Sequence, residues 1–352
     1  MKIAVLSSFP PRKCGIAHLT RNLFDELRAQ GHELVTFGID ESECDYKINS
    51  RSFFGLLEVA SIIKREKIEH VSVQFIIGFY GKKYLGLNFL LFLFALRKKR
   101  VIVTLHELHH IRSLAQVLRS PAELFHITLE VLIARFCSGV ILHTETQAAN
   151  LRQYGVKNVR CIYLGIETKP IPRERTVLNR ALFFGKLTPI KGIHLFAGIA
   201  RACTDIHFTI ACSAEPKFEG YRRELVQSFS GIPNIDFICK DWIGDAEKDR
   251  YFAEADVLVL PYIVAYYQSG VASECGVYNI PLIVPRLGPL NEISDKYHTG
   301  ETVATPSPEE IKQAIKTIFE NYPYYLDGIR AYRADANWTV AAQNYVKYLQ
   351  GQ

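Results

Sequence analysis

The feature that most constrains the fold is a repeated alternation of short apolar runs with amphipathic segments. Runs at 3–6, 101–105, 181–184 and 255–260 are apolar and include β-branched or aromatic residues, which is typical of buried strands. Segments such as 17–30 and 308–321 have apolar residues at helical spacing instead. Because parallel strands need crossover connections, this alternation predicts α/β architecture with parallel, doubly wound sheets.

The alternation occurs in two successive series, which a segment rich in proline and charged residues separates. A chain of 352 residues suits two domains of ordinary size. We predict an N-terminal domain at 1–168, a linker at 169–178, a second domain at 179–336 and a final helix within 337–352.

Composition excludes several classes of function. The formal net charge is +6, and the basic residues are dispersed except at 97–100. This favours an anionic small molecule, or weak attraction to an anionic surface, over a nucleic-acid groove. The eight cysteines include no C-x-x-C pair, and the first strand begins at once, without a signal peptide. We therefore expect free thiols and a cytoplasmic location.

The longest apolar stretch, at 84–96, is too short for a membrane span, which needs ~20 residues. Because four basic residues follow it, it could lie on the inner face of a membrane as a peripheral contact. The alternative, which we favour, is a helix packed on a sheet.

The second half is organised around 261–288, which follows the apolar run at 255–260. Here a strand, a small-residue loop, a helix through Glu274 and another strand succeed one another. Ligands of α/β proteins bind beyond the carboxyl ends of such strands, against a helix N-terminus. Glu274 could accept hydrogen bonds from sugar hydroxyls, or it could be an ordinary surface glutamate.

Two further loops have the composition of ligand sites. Lys186 and Lys191 flank a glycine-bounded loop and could bind a diphosphate, although such a loop can also be a solvated surface. Gly15 precedes the first helix, where a ligand can approach the backbone. Neither G-x-G-x-x-G nor G-x-x-x-x-G-K-[ST] occurs, so ordinary dinucleotide and P-loop sites lose their main support.

A possible zinc motif follows the strand at 101–105. His106, Glu107 and His110 match H-E-x-x-H, and Glu130 is a possible third ligand, which would make the chain a zinc hydrolase. That motif needs both histidines on one helix face, whereas His106 directly follows a strong strand. We favour one working histidine, His106, at a strand end, and keep the zinc hydrolase as a remote alternative.

Taken together, these motifs resemble the family 4 glycosyltransferases of the GT-B fold, which has two Rossmann-like doubly wound parallel-sheet domains facing across a cleft. The resemblance rests on five stretches in order: 10–17, 104–107 with 74–81 upstream, 165–167, 185–192, and 266–274 with the glycines, proline and glutamate that follow. Tyr266 stands where the family has the first of two glutamates, and Lys186 stands where arginine is usual.

The resemblance implies a retaining glycosyltransferase with its donor in the second domain and its acceptor side in the first. The donor would be a UDP- or GDP-sugar, and the acceptor a glycan, a lipid-linked molecule or a small molecule. No metal or other cofactor would be required, since no D-x-D occurs. The final helix, 337–352, would cross back onto the first domain.

The same resemblance implies roles for individual residues. The catalytic residues would be His106, Lys186, Lys191 and Glu274. The donor contacts would be Gly15, Ile16, Gly185, Ser269, Gly270, Val271 and Tyr266. The acceptor side would include Gln74, Tyr80 and His109. The tyrosine at 266 leaves an alternative, a pseudo-glycosyltransferase that binds a nucleotide sugar without transferring it.

Overall fold

The computed structural model describes residues 1–12, 14–39, 42–49, 52–80, 85–109, 121–167, 178–265 and 268–352. It divides the chain into two compact units. The first comprises Met1–Gly165 and Trp338–Gln352, and the second comprises Ile166–Asn337. The predicted linker lies outside the described residues except for its last position.

A sheet of seven parallel strands forms the centre of the first unit. Its strands are β1 (Lys2–Ser7), β2 (Glu33–Ile39), β3 (Tyr46–Ile48), β4 (His70–Phe75), β5 (Arg100–Leu105), β6 (Gly139–Leu142) and β7 (Val159–Cys161). Their order is β3-β2-β1-β4-β5-β6-β7. The chain runs outward from β1 to β3 and returns to β4 beside β1. The topological switch point, where α/β proteins bind ligands, therefore lies between β1 and β4.

Helices cover both faces of this sheet. They are α1 (Gly15–Ala29), α2 (Gly55–Arg65), α3 (Leu87–Ala95), α4 (Pro121–Phe136), α5 (Glu145–Gln153) and the C-terminal helix (Trp338–Gln350). Alternate residues of β1 point to opposite faces. Ile3 and Val5 therefore pack in one core with α1 and the C-terminal helix. Ala4 and Leu6 pack in the other core, with α2, α3 and α4.

The second unit repeats the same topology with six parallel strands. They are β8 (Arg180–Lys186), β9 (His207–Ser213), β10 (Ile235–Lys240), β11 (Val257–Val259), β12 (Leu282–Pro285) and β13 (Gly300–Val303). Their order is β10-β9-β8-β11-β12-β13, so the switch point lies between β8 and β11.

The helices of the second unit are α6 (Phe196–Ala202), α7 (Glu219–Phe229), α8 (Asp245–Glu254), α9 (Gly270–Tyr278), α10 (Glu292–Tyr297), α11 (Pro308–Glu320) and α12 (Tyr322–Asp335). Helix α11 illustrates how the sequence specifies them. Ser307 accepts a hydrogen bond from the backbone N–H of Glu310, which caps the helix start. Ile311, Ile315 and Ile318 then form its buried face.

The predicted fold class, two parallel-sheet α/β domains, is confirmed by these two sheets. Among the described residues, no helix is long and apolar enough to cross a bilayer.

Candidate functional site

In the first unit, the candidate site begins at the end of β5 with His106. The Nε2 atom of His106 lies 2.8 Å from Oε1 of Gln74. Because an amide oxygen only accepts hydrogen bonds, Nε2 carries the proton and Nδ1 keeps its lone pair. Burial, and next the neighbouring ring of His143, lower the pKa of His106 well below its ordinary value. His106 is therefore a neutral imidazole with a fixed tautomer near pH 7.

Further hydrogen bonds hold the side chain of Gln74 in place. Its Nε2 group donates to the hydroxyls of Tyr345 and Thr104, each at 3.4 Å. Tyr345 lies on the C-terminal helix, and its hydroxyl is 2.6 Å from Oγ of Ser72. Gln74 is fully buried. It therefore orients His106, and its expected role on the acceptor side stays a prediction.

Tyr80 was also expected on the acceptor side, and this role likewise stays a prediction. Its side chain is buried. Its ring stacks on Phe75, with 5.9 Å between centroids, and lies 5.4 Å from the ring of Phe89. Burial raises the pKa of its hydroxyl. Tyr80 is a core residue, because aromatic side chains after a strand can pack inward as readily as they line a site.

His109 is hydrogen-bonded to Glu130 of α4. Nδ1 of His109 is 2.7 Å from Oε1 of Glu130, and the backbone N–H of His109 donates to Oε2 at 2.9 Å. Burial alone would lower the pKa of His109, but the hydrogen bond and the charge of Glu130 outweigh it and raise that pKa. This pair ties α4 to the segment that follows β5.

The geometry does not support the H-E-x-x-H interpretation. His106 lies just after β5, not on a helix, and it pairs with Gln74. His110 lies outside the described residues. Potential ligand atoms of His109, His126 and Glu130 do lie within 4.8 Å of one another, but this is a different set of residues. The paired bonds to His109 account for both oxygens of Glu130.

Gly15 begins α1, directly beyond the carboxyl end of β1. A Cβ atom built on Gly15 meets nothing within 4 Å, so packing does not require a glycine here. The first turn of α1 contains no acidic residue. The N–H of Ala17 already donates to the carbonyl of Cys14 at 3.0 Å, so the N–H groups of Gly15 and Ile16 are the ones that could meet a ligand. This open helix N-terminus suits an anionic ligand. Ile16 packs partly against the core.

In the second unit, the two lysines of the β8 loop have different partners. Lys186 ends β8, and its ammonium lies 3.5 Å from a carboxylate oxygen of Glu215. Lys191 ends a short 3-10 turn, and its Nζ atom is 3.5 Å from the ring centroid of Tyr262. Gly185, before Lys186, has a φ of +151°, in the region that favours glycine.

The Lys191 loop packs closely against the chain that follows β11. Gly192 has a φ of +68°, and a Cβ atom there would overlap the carbonyl oxygen of Pro261. The backbone N–H of Ile263 also donates to the carbonyl of Ile190 at 2.9 Å. The ends of β8 and β11, on either side of the switch point, are thus joined.

Tyr262 connects Lys191 to the start of α9. It is buried, and its hydroxyl lies 3.1 Å from Oγ of Ser269, the residue that precedes α9. Tyr262 was not predicted as a site residue. Its position directly after the apolar run at 255–260 was the available signal, since side chains at strand ends project toward α/β ligand sites.

The N-terminus of α9 is open and positively polarised. Gly270 is exposed, and a Cβ atom built on it meets nothing within 4 Å. The first turn, which includes Val271, has no acidic residue, so its N–H groups can bind an anion. With Lys191 linked to this point through Tyr262, the arrangement suits a phosphate group. Tyr266 lies outside the described residues.

Glu274 follows on α9 and is largely buried, unlike an ordinary surface glutamate. Its Oε1 atom is 3.1 Å from the ammonium of Lys248 on α8. Burial raises the pKa of Glu274, and the carboxylates of Glu167 and Asp249 add to that rise, while Lys248 opposes it. The sequence analysis missed Lys248, which keeps a buried carboxylate paired.

Comparison with known families identifies the class of protein. The Glycosyltransferase Family 4 model matches residues 14–170, and the Glycosyl transferases group 1 model matches residues 179–321. The chain belongs to the family 4 glycosyltransferases. The two matches follow the two sheets, so this glycosyltransferase carries one family domain in each unit.

Solved structures show the same GT-B fold. A sucrose-phosphate synthase from Thermosynechococcus elongatus is 18% identical over 100% of this chain and 98% of its own, with a TM-score of 0.75. HepE from Anabaena, in complex with UDP-glucose, is 14% identical over the full length of both chains, with a TM-score of 0.75. A glycosyltransferase from Rickettsia africae is 12% identical over 99% and 98%, with a TM-score of 0.74. No curated protein matches the sequence.

Proposed function

We propose that this glycosyltransferase moves a sugar from a UDP- or GDP-sugar to an acceptor hydroxyl, with retention of anomeric configuration. The observation that carries the proposal is the connected set of Lys191, Tyr262, Ser269 and the open N-terminus of α9. It combines an ammonium group with unpaired backbone N–H groups, which is the chemistry that binds a diphosphate. The UDP-glucose in the HepE structure agrees with this class of donor.

The diphosphate gains negative charge as the bond to the sugar breaks. Lys191 and the N–H groups of Gly270 and Val271 stabilise that charge where it develops. Lys186, at the end of β8, contributes a second ammonium group. It gives up its contact with Glu215 when it binds the diphosphate. Glu274 accepts hydrogen bonds from the ribose hydroxyls.

His106 binds the transferred sugar. Its Nε2–H is held by Gln74, so the lone pair on Nδ1 can accept a hydrogen bond from a sugar hydroxyl. The low pKa of His106 keeps this lone pair available throughout the neutral range. Retention follows the family resemblance.

Leaving-group stabilisation by lysines and a helix N-terminus makes a bridging metal ion unnecessary. The absence of a D-x-D sequence agrees with this. We therefore infer that transfer is metal-independent.

The test measures donor binding and transfer in Lys191→Ala. Calorimetric titration with UDP-glucose, GDP-mannose and the free diphosphates should find one nucleotide that binds the wild type. Loss of one charge-assisted contact should weaken that binding at least about tenfold and abolish most transfer. Lys312→Ala, at an exposed position of α11, is the matched control and should bind normally. Equal binding and transfer in Lys191→Ala and the control would refute the assignment.

A second candidate is a pseudo-glycosyltransferase, because Tyr266 replaces a glutamate of the family pattern. The same titration separates the two. Binding of a nucleotide sugar without turnover, and no gain of turnover in Tyr266→Glu, would favour the non-catalytic alternative.

A further inference from the structure

Helix α3 presents two apolar faces with different surroundings. Its inward face is buried in the core of the first unit and consists of Asn88, Phe89, Phe92 and Leu93. Its outward face carries Leu87, Leu91 and Phe94, which are 53%, 36% and 55% exposed. These three are spaced by four and then three residues, so they form one stripe along the helix. Leu85, just before the helix, is 64% exposed. We call these four side chains the α3 stripe.

The exposed apolar side chains of the α3 stripe are clustered and not isolated from one another. Of the eleven large apolar side chains that are exposed among the described residues, four lie within 85–94. Single exposed apolar residues are ordinary on a protein surface, whereas clustered ones mark a binding surface. The α3 stripe is therefore a candidate binding surface.

The charges beside the α3 stripe identify the partner. The segment 70–106 contains no aspartate or glutamate, and four basic residues follow the helix at 97–100. Lys99 pairs with Glu69, and Arg100 donates to the carbonyl of Tyr348, so Arg97 and Lys98 are the charges that border the stripe. Arg97 and Lys98 are exposed directly after the helix. The guanidinium of Arg97 lies 4.5 Å from the ring centroid of Phe94, so charge and apolar surface are contiguous. An apolar stripe bordered by positive charge complements an anionic lipid surface.

We propose that the α3 stripe docks onto an anionic phospholipid surface. Leu87, Leu91 and Phe94 enter the boundary between headgroups and acyl chains, while Arg97 and Lys98 contact lipid phosphates. Because the inward face of α3 is already packed in the core, the helix need not fold on binding, and little ordering entropy opposes docking. This goes beyond sugar transfer and does not depend on it, since lipid binding needs no donor.

The sequence analysis left a membrane face and a sheet-packed helix as alternatives for 84–96. The inward face of α3 packs against the sheet, as we favoured. The outward stripe supports the other alternative, a membrane contact. The same nine-residue helix can therefore pack against the sheet with one face and contact a membrane with the other.

The test is flotation with vesicles of phosphatidylcholine alone and of phosphatidylcholine mixed with phosphatidylglycerol. The wild type should bind the mixed vesicles, bind neutral vesicles much more weakly, and detach at high salt. The triple variant Leu87→Ser, Leu91→Ser and Phe94→Ser should bind at least about tenfold less. The double variant Arg97→Gln and Lys98→Gln should also lose about tenfold or more.

Two controls keep the result interpretable. Val226→Ser removes a side chain that is 54% exposed on α7 of the second unit, and it should float as the wild type does. Each variant should retain the wild-type circular dichroism spectrum and thermal midpoint, and the charge variant leaves the buried face of α3 untouched.

Three results of the flotation test would overturn the proposal. They are no binding of the wild type to anionic vesicles, equal binding to neutral vesicles, and wild-type binding by the triple or the double variant. A wild-type dimer that the triple variant dissociates, with no vesicle binding, would also overturn it and assign the α3 stripe to contacts between copies. A failed nucleotide titration alongside positive flotation would reject only the sugar-transfer proposal.

Discussion

At the scale of single residues, Gly192 is the position where the two loops of the proposed donor site meet. We predict that Gly192→Ala destabilises the protein by about 1–3 kcal/mol and weakens donor binding. The reasons are its φ of +68° and the overlap of the new Cβ with the carbonyl of Pro261, which would displace the neighbouring Lys191. Urea unfolding and calorimetric titration measure the two effects.

Gly231→Ala is the matched control for Gly192→Ala. Gly231 has a φ of +75°, but a Cβ atom there meets nothing within 4 Å. It therefore reports backbone strain without a clash, and donor binding should not change. Normal donor binding by Gly192→Ala would mean that the contact with Pro261 does not position Lys191.

Protonation of His143 makes the stability of the protein depend on pH. Burial lowers the pKa of His143 from 6.5 to about 4, although its hydrogen bond to the carbonyl of Ile162 opposes this. The native state then binds fewer protons than the unfolded chain, so stability is full above pH 6.5 and falls as the pH drops toward 4. This group accounts for about 3 kcal/mol over that interval.

The check is the thermal midpoint of the wild type and of His143→Gln between pH 4 and pH 7. The variant should lose less stability on acidification, because glutamine can donate to Ile162 without titrating. Buried carboxylates such as Glu274 act in the opposite direction, and the comparison of the two proteins cancels them. Parallel curves for the two proteins would show that His143 does not have a depressed pKa.

The site residues that were predicted from the sequence lie at similar places relative to the predicted strands. His106, Lys191 and Gly270 are polar or small residues that follow apolar runs, and the carboxyl ends of parallel strands are where such residues meet a ligand. Tyr262 and Tyr345 were missed because their roles come from contacts that only the fold creates. Tyr345, for example, lies 271 positions from Gln74. The roles of all these residues in a functional site stay predictions.

At the scale of elements, the C-terminal helix supports the first unit and also orients His106. Trp338 packs so closely on Gly165 that any side chain at that glycine would overlap the indole. Seven residues later, Tyr345 holds Ser72 and Gln74. One helix thus connects the end of the chain to the β4 and β5 strand ends.

We predict that Tyr345→Phe lowers kcat several-fold while the donor KM stays nearly constant. The loss of one buried hydroxyl costs about 1 kcal/mol of stability and releases the amide of Gln74 that fixes the tautomer of His106. Tyr348→Phe is the control on the same helix, since its hydroxyl donates to the carbonyl of Asn158 at 2.8 Å, away from Gln74. It should lose similar stability and keep its kcat. Equal kcat losses in both variants would point to a general structural effect.

The elements with strong periodicity were predicted, and those without it were not. Strands β3 and β13 were missed because they are short edge strands with polar residues, so no continuous apolar run marks them. Helix α12 was missed because its buried face uses Tyr325 and Tyr332 beside Ile329. Tyrosines have both apolar and polar surface, which weakens the helical pattern.

At the scale of the whole molecule, metal content is a direct prediction. We expect the purified protein to contain well under one zinc ion per chain and to keep its thermal midpoint and transfer activity in EDTA. The reason is that two hydrogen bonds with His109 already engage both oxygens of the Glu130 carboxylate that would bind a metal. Elemental analysis and a melting curve measure both properties. One zinc per chain, with destabilisation by EDTA, would instead mean that His109, His126 and Glu130 bind zinc.

The discontinuity of the first unit has a consequence for how the chain is made. The second unit is a single uninterrupted segment, Ile166–Asn337, whereas the first unit needs Trp338–Gln352 to complete its core. During synthesis, which proceeds at about 5–20 residues per second, every residue of the second unit leaves the ribosome before the C-terminal helix does. The sheet that begins with the first residues is therefore the last to mature, because its core waits for a helix that is made after the whole second unit.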